Sequence, residues 1–460
     1  EHISHQAPQL METLLEMSNE FESDILTSVM EAFVEKFARN LEPYAKDLAA
    51  NLAGQFIKLA GEVLEQQSGS EEQSQTISDK ENQAAGILNT ISTLVVAMNT
   101  APQVATSIEP IVERMIRFVL ENAMISFIPE IIDILSSLVY STENVSSVLW
   151  SLYLACIESF DLYALEYFDV FQPFFEATIN FGFTRPELTI ESPQVQALIS
   201  VCFKVVKADY VEPVFAHTAF ELLELTVLSL NKRFAPFLDR FLPEIFDVFK
   251  ELEAQDAFDG YMLHHLSILR IFFACLFVEP DSTLMFLQQH QFTGGFIQLW
   301  LKHSEDFQSV YGCKLQILAL LSILVDADLS QFESQPDTIR ELADLLVSNL
   351  EVLPSAIKKR QDILSKESAY RVEDNEGDDD EYSGAYTGLD DLEADEAELE
   401  ALKETPIDKI HVFEVFANKM AQLQQNRPKY DVIIGDLDDS QMEIIKKIIL
   451  VNEQQQQKHQ

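Results

Sequence analysis

The sequence predicts an all-α protein built from consecutive pairs of antiparallel helices. Apolar residues recur at helical spacing through most of the chain, and the alternation typical of strands is nearly absent. Glycine is scarce, at 13 of 460 residues, which disfavours folds built on tight turns and glycine-rich phosphate loops. Hydrophobic residues make up 47% of the chain, which is enough for a large core and excludes a wholly disordered chain.

The helical period is clearest after residue 233. The apolar residues there fall on one face of an α-helix, and they are Phe234, Phe237, Leu238, Phe241, Leu242, Ile245, Phe246 and Phe249. The next segment repeats the pattern at Met262, Leu266, Leu269, Phe273 and Leu276. We therefore expect Phe241, Ile245 and Phe249 to be buried at a helix–helix interface.

Similar segments recur from Gln6 to Ser365, and they predict about fourteen or fifteen helices before residue 370. Taken in pairs they make roughly seven units of about 40 to 50 residues, which is the period of HEAT-type repeats. Five prolines lie where a helix is expected to begin: Pro43, Pro102, Pro110, Pro193 and Pro336. A compact helical bundle is the alternative, but so many consecutive helices of similar length favour a solenoid.

Two segments interrupt the helical pattern. Gln67–Asn82 is polar and predicts a surface loop between helices. The second segment, Glu373–Glu400, contains 14 acidic residues and no basic one. The acidic residues are Glu373, Asp374, Glu376, Asp378, Asp379, Asp380, Glu381, Asp390, Asp391, Glu393, Asp395, Glu396, Glu398 and Glu400.

The sequence therefore predicts four parts. Residues 1–370 form a superhelical HEAT-repeat solenoid of antiparallel helix pairs, and residues 371–404 form an acidic, flexible, disordered insertion. The helical pattern then resumes, so residues 405–451 are expected to supply C-terminal helices that complete the solenoid. The Gln-rich residues 452–460 are expected to be a disordered tail.

The charge balance limits the classes of partner. The chain has 31 Lys and Arg against 76 Asp and Glu, a formal net charge of −45. Direct binding to nucleic-acid phosphates or to an anionic membrane is disfavoured, because both depend on clustered basic residues. Removing the 14 carboxylates of the acidic segment from −45 still leaves −31, so the folded body is itself acidic and suits a basic partner.

No catalytic, cofactor or metal signature is found. The chain has no GxGxxG, GxxxxGK[ST], HExxH or GxSxG motif. His2 with His5 and His264 with His265 have no further ligands at metal spacing, so surface or packing histidines are expected. We therefore expect no enzymatic chemistry, no cofactor and no metal.

The four cysteines occur in apolar stretches without CxxC spacing, so we expect buried free thiols. They are Cys156, Cys202, Cys275 and Cys313. No apolar run is expected to approach the ~18 residues of a membrane span, the longest uncharged one being Ile271–Val278. No signal peptide is seen, and because the first residue is Glu1, the chain is expected to begin inside a longer protein.

The acidic segment has two interpretations. A block of like charges is commonly a solvated linker that only keeps a protein soluble. The alternative is a flexible polyanion that neutralises basic partners and competes with nucleic acid for them. Apolar residues between the acids favour the second, since they can contact the stems of Lys and Arg: Tyr382, Tyr386, Leu389, Leu392 and Leu399.

Several segments resemble the C-terminal part of importin-β (karyopherin-β) superfamily transport receptors, most of all the importin-7/importin-8 branch. These are Ala85–Leu94 (AGILNTISTL), Ser159–Phe175 (SFDLYALEYFDVFQPFF) and Lys314–Leu324 (KLQILALLSIL), with Trp300 in the preceding helix. The order at the end is also similar, with a helical repeat, an acidic run, the segment Thr405–Tyr430 and a final helix. The similarity extends over most of the chain from about residue 40.

The resemblance implies a nuclear import receptor that shuttles between cytoplasm and nucleus. Such receptors bind basic protein cargo, such as ribosomal proteins, histones or nucleic-acid-binding factors, on a concave surface. They pass the nuclear pore by binding Phe-Gly nucleoporins and release cargo when Ran-GTP binds. Ran-GTP binds such receptors mainly through N-terminal repeats, which are expected to be absent from this chain. The acidic segment is then expected to help hold basic cargo.

Two alternatives stay open at this stage. One is an exportin of the same superfamily, and the other is an acidic HEAT scaffold or histone chaperone unrelated to the pore. Binding to Phe-Gly repeats distinguishes the transport receptors from the chaperone.

Overall fold

The computed structural model describes residues 6–20, 24–66, 74–208, 213–254, 262–332, 336–373, 405–435 and 437–459. These residues contain α-helices joined by short turns, and no β-strand occurs among them. The chain divides into two compact units, unit 1 at residues 1–222 and unit 2 at residues 223–460.

Ten helices lie in unit 1 or begin there. They are α1 (Ala7–Glu20), α2 (Asp24–Leu41), α3 (Ala45–Gln66), α4 (Ser74–Ala97), α5 (Pro102–Glu121), α6 (Ile128–Thr142), α7 (Ser147–Ser159), α8 (Gln172–Thr178), α9 (Pro193–Val206) and α10 (Pro213–Leu230).

The helices of unit 1 pack in two layers. Helices α2, α4, α6 and α8 pack in succession and form one layer, called here the even layer. Helices α3, α5, α7 and α9 form the other, called the odd layer, and α3 with α4 and α5 with α6 pack across the two. Helices thus pack on the equivalent helices of neighbouring pairs and, at α3–α4 and α5–α6, on a partner in the other layer, which is the packing of HEAT-type repeats.

Side-chain hydrogen bonds between repeats show the repeat length directly. In three places, a side chain donates to a carbonyl at the end of a helix in the preceding repeat. The bonds run from Ser141 Oγ to Val95 O (3.2 Å, 46 residues apart), from Tyr163 OH to Leu120 O (2.8 Å, 43 apart) and from Lys204 Nζ to Phe160 O (3.0 Å, 44 apart). The predicted period of about 40 to 50 residues is confirmed, and these bonds bring a side-chain donor to carbonyls at the ends of helices.

Unit 2 has nine further helices among the described residues. They are α11 (Leu238–Ala254), α12 (Met262–Val278), α13 (Pro280–Gln289), α14 (Thr293–His303), α15 (Val310–Leu321), α16 (Pro336–Glu373), α17 (Val412–Gln425), α18 (Arg427–Ile434) and α19 (Asp439–His459). Within unit 2, α12 packs on α11 and α15, α15 packs on α16, and α16 packs on α18 and α19. The prediction of an all-α HEAT-repeat fold is confirmed for both units.

The predicted apolar face of α11 lies in the core of unit 2. Phe241 and Ile245 are fully buried and Phe249 is nearly so, which confirms the prediction. The Phe241 ring packs edge-on against Phe234, with 5.0 Å between the ring centroids.

Two local predictions are wrong. Pro110 lies inside α5 and not at its start, because burial of Ile108 and Val112 on either side outweighs one lost backbone hydrogen bond. The polar loop predicted at 67–82 is helical from Ser74, because Lys80 is buried in an ion pair of 2.6 Å with Glu62 of α3. By contrast, Pro102, Pro193 and Pro336 do begin helices.

The predicted boundaries of the four parts stay a prediction. Helix α19 includes residues 452–459, where the sequence predicted a disordered tail. The acidic insertion at 374–404 lies outside the described residues.

One segment corrects the expectation about apolar runs. Ile125–Thr142 is long and apolar enough to span a membrane by length and composition alone. In this protein 56% of the segment is buried, with Ile131, Leu135 and Leu138 fully inside the core. A core helix of the same composition meets the same criterion.

Candidate functional site

The acidic segment predicted to bind basic partners lies almost wholly outside the described residues. Glu373 is the last residue of α16, and the other acids, Asp374 to Glu400, fall within 374–404. Their role in binding therefore stays a prediction. The described residues nevertheless place the two ends of the segment, at Glu373 and at Thr405.

After the acidic segment, the described chain resumes in unit 2 at a turn that several polar contacts hold in place. Lys314 Nζ of α15 donates to the carbonyls of Ile407 (3.1 Å) and Asp408 (2.9 Å). Arg360 of α16 forms an ion pair with the Asp408 carboxylate at 3.5 Å. The amide and the hydroxyl of Thr405 both donate to that carboxylate, each at 3.0 Å. The acidic segment is thus anchored on α15 and α16 at its C-terminal end.

Burial accounts for the electrostatics of this anchor. Burial lowers the pKa of Lys314, and the charge of the nearby Asp408 carboxylate acts in the opposite direction. A half-buried lysine with two carbonyl acceptors keeps its hydrogen bonds inside the fold, so removing it would take a donor from both carbonyls, although Ile410 N–H would still donate to Ile407 O.

Two more lysines hold the C-terminal helices against the helical turn at 322–327 that follows α15. Lys429 Nζ donates to the carbonyls of Val325 (2.8 Å) and Ala327 (2.7 Å). Lys419 forms an ion pair with Asp326. Carbonyls at a helix C-terminus attract cations, so these contacts fix α17 and α18 in place.

A second acidic surface lies in unit 1, on the even layer and α10. Its carboxylates come from four helices and are called here the acidic row: Glu31 and Glu35 of α2, Glu130 and Asp133 of α6, Glu176 of α8 and Glu221 of α10. Helix α4 packs between α2 and α6 and contributes neutral hydroxyls at Ser92 and Thr93.

Neutral side chains link the acidic row across the helices. Thr93 Oγ1 donates to Glu31 (3.4 Å), and Ser92 Oγ donates to Asp133 (2.9 Å). Gln172 Nε2 donates to both Glu176 (2.9 Å) and Glu221 (3.1 Å). These hydrogen bonds orient the carboxylates without adding a positive charge, and Glu221 also lies 3.6 Å from His217 Nε2.

Burial and mutual repulsion raise two pKa values in this row. Burial raises the pKa of Glu31, with a smaller contribution from neighbouring Glu35, and the Thr93 hydrogen bond opposes the shift. Burial also raises the pKa of Glu130, and the charge of Asp133 adds to it. A raised carboxyl pKa means that the charged form is disfavoured here, so a cation placed against the row would be attracted and would lower both pKa values.

Exposed apolar side chains occur on the same layer. Val96 at the end of α4 is 51% exposed and Tyr140 at the end of α6 is 42% exposed. The Tyr140 ring packs edge-on against the half-buried Phe181, with centroids 5.5 Å apart. Because Val95 accepts a hydrogen bond from Ser141, these residues lie at the junction of two consecutive repeats.

The remaining predicted features have packing roles. All four cysteines are buried free thiols, as predicted, and burial raises the pKa of Cys156, Cys202 and Cys275. His264 and His265 are buried in α12, while His2 and His5 lie outside the described residues.

Sequence reasoning did not find the acidic row, because its members lie far apart along the chain. A signal was nevertheless present. Glu130, Glu176 and Glu221 are 46 and 45 residues apart, which is the repeat period, so that equivalent helices place them side by side.

Comparison with known proteins gives relatives but no matching structure. No protein-family model and no solved structure matches the chain. Importin-8 of Homo sapiens is 25% identical over 368 residues, covering 78% of this chain. The resemblance to the importin-7/importin-8 branch is confirmed. A probable importin-7 homolog of Dictyostelium discoideum is 22% identical over 69% of this chain.

The match to a yeast protein is longer. Nonsense-mediated mRNA decay protein 5 of Saccharomyces cerevisiae is 23% identical over 491 residues, covering 97% of this chain. The chain spans less than half the length of these relatives, at 46% of the yeast protein, 33% of human importin-8 and 28% of the Dictyostelium protein.

Proposed function

We propose that this chain is part of a karyopherin-type nuclear transport receptor that binds basic proteins and performs no chemistry. The observation that carries the proposal is the acidic row, in which exposed and half-buried carboxylates of neighbouring repeats accept hydrogen bonds from Ser, Thr and Gln side chains. Its alignment along one layer suits a ligand that contacts several repeats at once. The net charge of −45 and the similarity to importins support the same conclusion.

The expected mechanism is reversible electrostatic binding. A row of carboxylates attracts Lys and Arg from a distance and speeds the encounter. Each exposed contact is worth only ~0.2–1 kcal/mol, so affinity depends on several contacts made together. The binding should weaken with salt, because the Debye length falls from ~10 Å at 0.1 M to ~3 Å at 1 M.

The acidic row is tested by charge reversal. Glu35 and Asp133 are exposed, so the double variant Glu35→Lys/Asp133→Lys should fold normally and bind an immobilised core histone about tenfold more weakly. The matched control is Glu121→Lys/Glu158→Lys, which places the same charge change on exposed positions of the odd layer. Equal losses of histone affinity in both variants would show that binding depends only on net charge, and the role proposed for the acidic row would be wrong.

The acidic segment at 374–404 is proposed to add to this binding. The fourteen carboxylates between Glu373 and Glu400, with no basic residue among them, are tethered at both ends of the segment and so stay at high local concentration near a bound partner. Replacing Asp378, Asp379, Asp380, Glu381, Asp390 and Asp391 with Asn or Gln should lower histone affinity and its salt dependence. If neither changes, the segment is a solubilising linker.

We further propose that the intact receptor passes the nuclear pore and shuttles between cytoplasm and nucleus. The exposed Val96 and Tyr140, with the half-buried Phe181 at the same repeat junction, are candidate contacts for Phe-Gly nucleoporins. Tyr140→Ser should weaken retention on immobilised Phe-Gly repeats. Complete absence of retention of the parent chain would favour an acidic HEAT scaffold or histone chaperone.

Ran-GTP control is proposed for the intact protein and not for this chain alone. The direction of transport is tested with the full-length protein and Ran loaded with a non-hydrolysable GTP analogue. Release of bound basic proteins by Ran-GTP is expected for an importin, and binding that requires Ran-GTP would identify an exportin.

A further inference from the structure

An open apolar groove lies in unit 2 between the second half of α16 and α19. Its volume is about 1350 Å³, larger than the ~300–1,000 Å³ of small-molecule pockets. Leu353 and Ile357 of α16, Phe413 of α17 and Ile448 of α19 are among the apolar residues that line it. Leu364 and Val451 also line the groove, and they are 38% and 45% exposed, so they add exposed apolar surface of the kind that marks interaction sites. It is called here the α16–α19 groove.

The dimensions of the groove fit a helical peptide. Its lining residues on α16 run from Leu350 to Leu364, a rise of about 21 Å at 1.5 Å per residue. A helix bound along the groove could contact this part of α16 over about four turns. Recognition of an amphipathic helix by an apolar groove is a recurrent mode of peptide binding.

The charged residues of the groove indicate the charge of its ligand. Two cations of the lining are already engaged within the fold, Lys314 by two backbone carbonyls and Arg360 by Asp408. The solvent-exposed charges of the groove are Glu351, Glu414 and Lys447.

A smaller neighbouring cavity of about 490 Å³ extends the same surface. It shares Val310, Arg360 and Asp408 with the groove. Its own exposed charges are Glu305, Lys359 and Asp306, and the Asp306 carboxylate is 2.8 Å from His303 Nδ1. Across the continuous surface, exposed carboxylates therefore outnumber exposed ammonium groups by two to one.

We propose that the α16–α19 groove binds a basic amphipathic helix of a partner protein. Apolar side chains of that helix cover Leu364, Phe413 and Val451, and its Lys and Arg side chains face Glu351, Glu414 and the acids of the neighbouring cavity. The inference rests on the proposed function, since it names the kind of segment through which a basic partner engages unit 2. It adds an apolar contact that salt does not screen to the electrostatic contacts of the acidic row.

The test uses the full chain and a synthetic probe. The probe is a fluorescein-labelled 18-residue peptide of Leu and Lys with helical spacing, followed by fluorescence anisotropy. One control peptide has the same composition in an order without an apolar face, and another replaces Lys with Glu. The amphipathic Leu–Lys peptide should bind at least about tenfold more tightly than either control peptide.

Two groove variants test the site. Leu364→Ser/Val451→Ser removes exposed apolar contacts, and Glu351→Lys/Glu414→Lys reverses the rim charge. Each should weaken binding of the probe by about tenfold, and only the charge variant should reduce the salt dependence. The matched controls are Leu162→Ser, at a site 79% exposed in unit 1, and Glu121→Lys/Glu158→Lys, and both should bind as the parent does.

The outcomes separate the groove from the proposed function. If the groove variants bind the probe as tightly as the parent, while the acidic-row variant still weakens histone binding, the groove is not the site and the proposed function stands. Preference for the Leu–Glu peptide would point to an acidic occupant, such as the chain's own segment at 374–404, and would overturn the inference. Absence of histone binding by the parent chain would overturn the inference together with the proposed function.

Discussion

Replacing Phe241 with alanine tests the packing of unit 2. The side chain lies on α11 without measurable exposure, and its ring packs edge-on against Phe234 and more loosely against Phe237. The substitution removes a large buried side chain and leaves a cavity that neighbouring helices fill only in part.

The expected cost follows from these contacts. Burying a Phe side chain contributes roughly 1.5–3 kcal/mol by transfer alone, and aromatic pairs add about 0.5–1.5 kcal/mol. Including the cavity, Phe241→Ala should lower the free energy of unfolding by about 3–5 kcal/mol. For a unit of this size, that corresponds to a fall in melting temperature on the order of 10 °C.

The assay is thermal unfolding together with hydrogen exchange of the α11 peptides, because the two units need not unfold in one step. Phe237→Ala is the matched control, since Phe237 is only half-buried and lies in the turn before the same helix. The packing assigned to α11 is refuted if Phe241→Ala costs less than ~1 kcal/mol or no more than Phe237→Ala.

Three further predictions concern single residues. Gly312→Ala should lower the free energy of unfolding of unit 2 by at least ~1–3 kcal/mol, because the new Cβ would lie 2.5 Å from the Phe307 carbonyl oxygen. Gly54 has open space around it, so Gly54→Ala should raise that free energy by up to ~1 kcal/mol. Chemical denaturation measures both changes. Glu130→Gln should be more stable than the parent at neutral pH. Because the pKa of Glu130 is raised in the folded state, its contribution to stability is fully present below pH 4.5 and is lost as the pH rises through the folded pKa. The melting temperatures of the parent and of Glu130→Gln should therefore diverge between about pH 4 and 8. Lys429→Met should increase hydrogen exchange in α17 and α18, since two carbonyls in the helical turn that follows α15 lose this donor; unchanged exchange would show that the lysine holds nothing in place.

The sequence was sufficient for the repeat fold because burial on one helix face leaves a direct periodic pattern. The face through Phe241, Ile245 and Phe249 is an example, since its spacing alone predicted its burial. The pattern depends on residues a few positions apart, so no knowledge of distant contacts is needed.

Local rules failed where contacts from another helix decided the structure. The sequence predicts a helix start at Pro110, but buried apolar residues on both sides keep this proline inside α5. The polar stretch before Gln83 reads as a loop, yet Lys80 pairs with Glu62 on the preceding helix. Both errors arise because tertiary contacts outweigh propensities of about 1 kcal/mol or less for ordinary residues and about 3 kcal/mol for proline.

The candidate sites were beyond local reasoning for a different reason. The α16–α19 groove combines residues from Val310 to Val451, which become neighbours only when Lys314, Arg360 and Asp408 bring the returning chain onto α15 and α16. The prominent acidic segment drew attention in the sequence, but it reveals only that a basic partner suits this protein.

In the proposed function, the acidic row and the acidic segment attract a partner by charge, whereas the α16–α19 groove binds it by apolar contact. Carboxylates spread over successive repeats act at a distance and give speed and salt dependence, but each contact is weak. An apolar groove acts only at contact, and the free energy that it contributes scales with the apolar area covered. A partner that carries charge alone would therefore be captured and released quickly, whereas one with a basic amphipathic helix would remain bound longer. On the proposed function, the acidic row would select partners by charge, and the groove would determine which basic proteins stay bound.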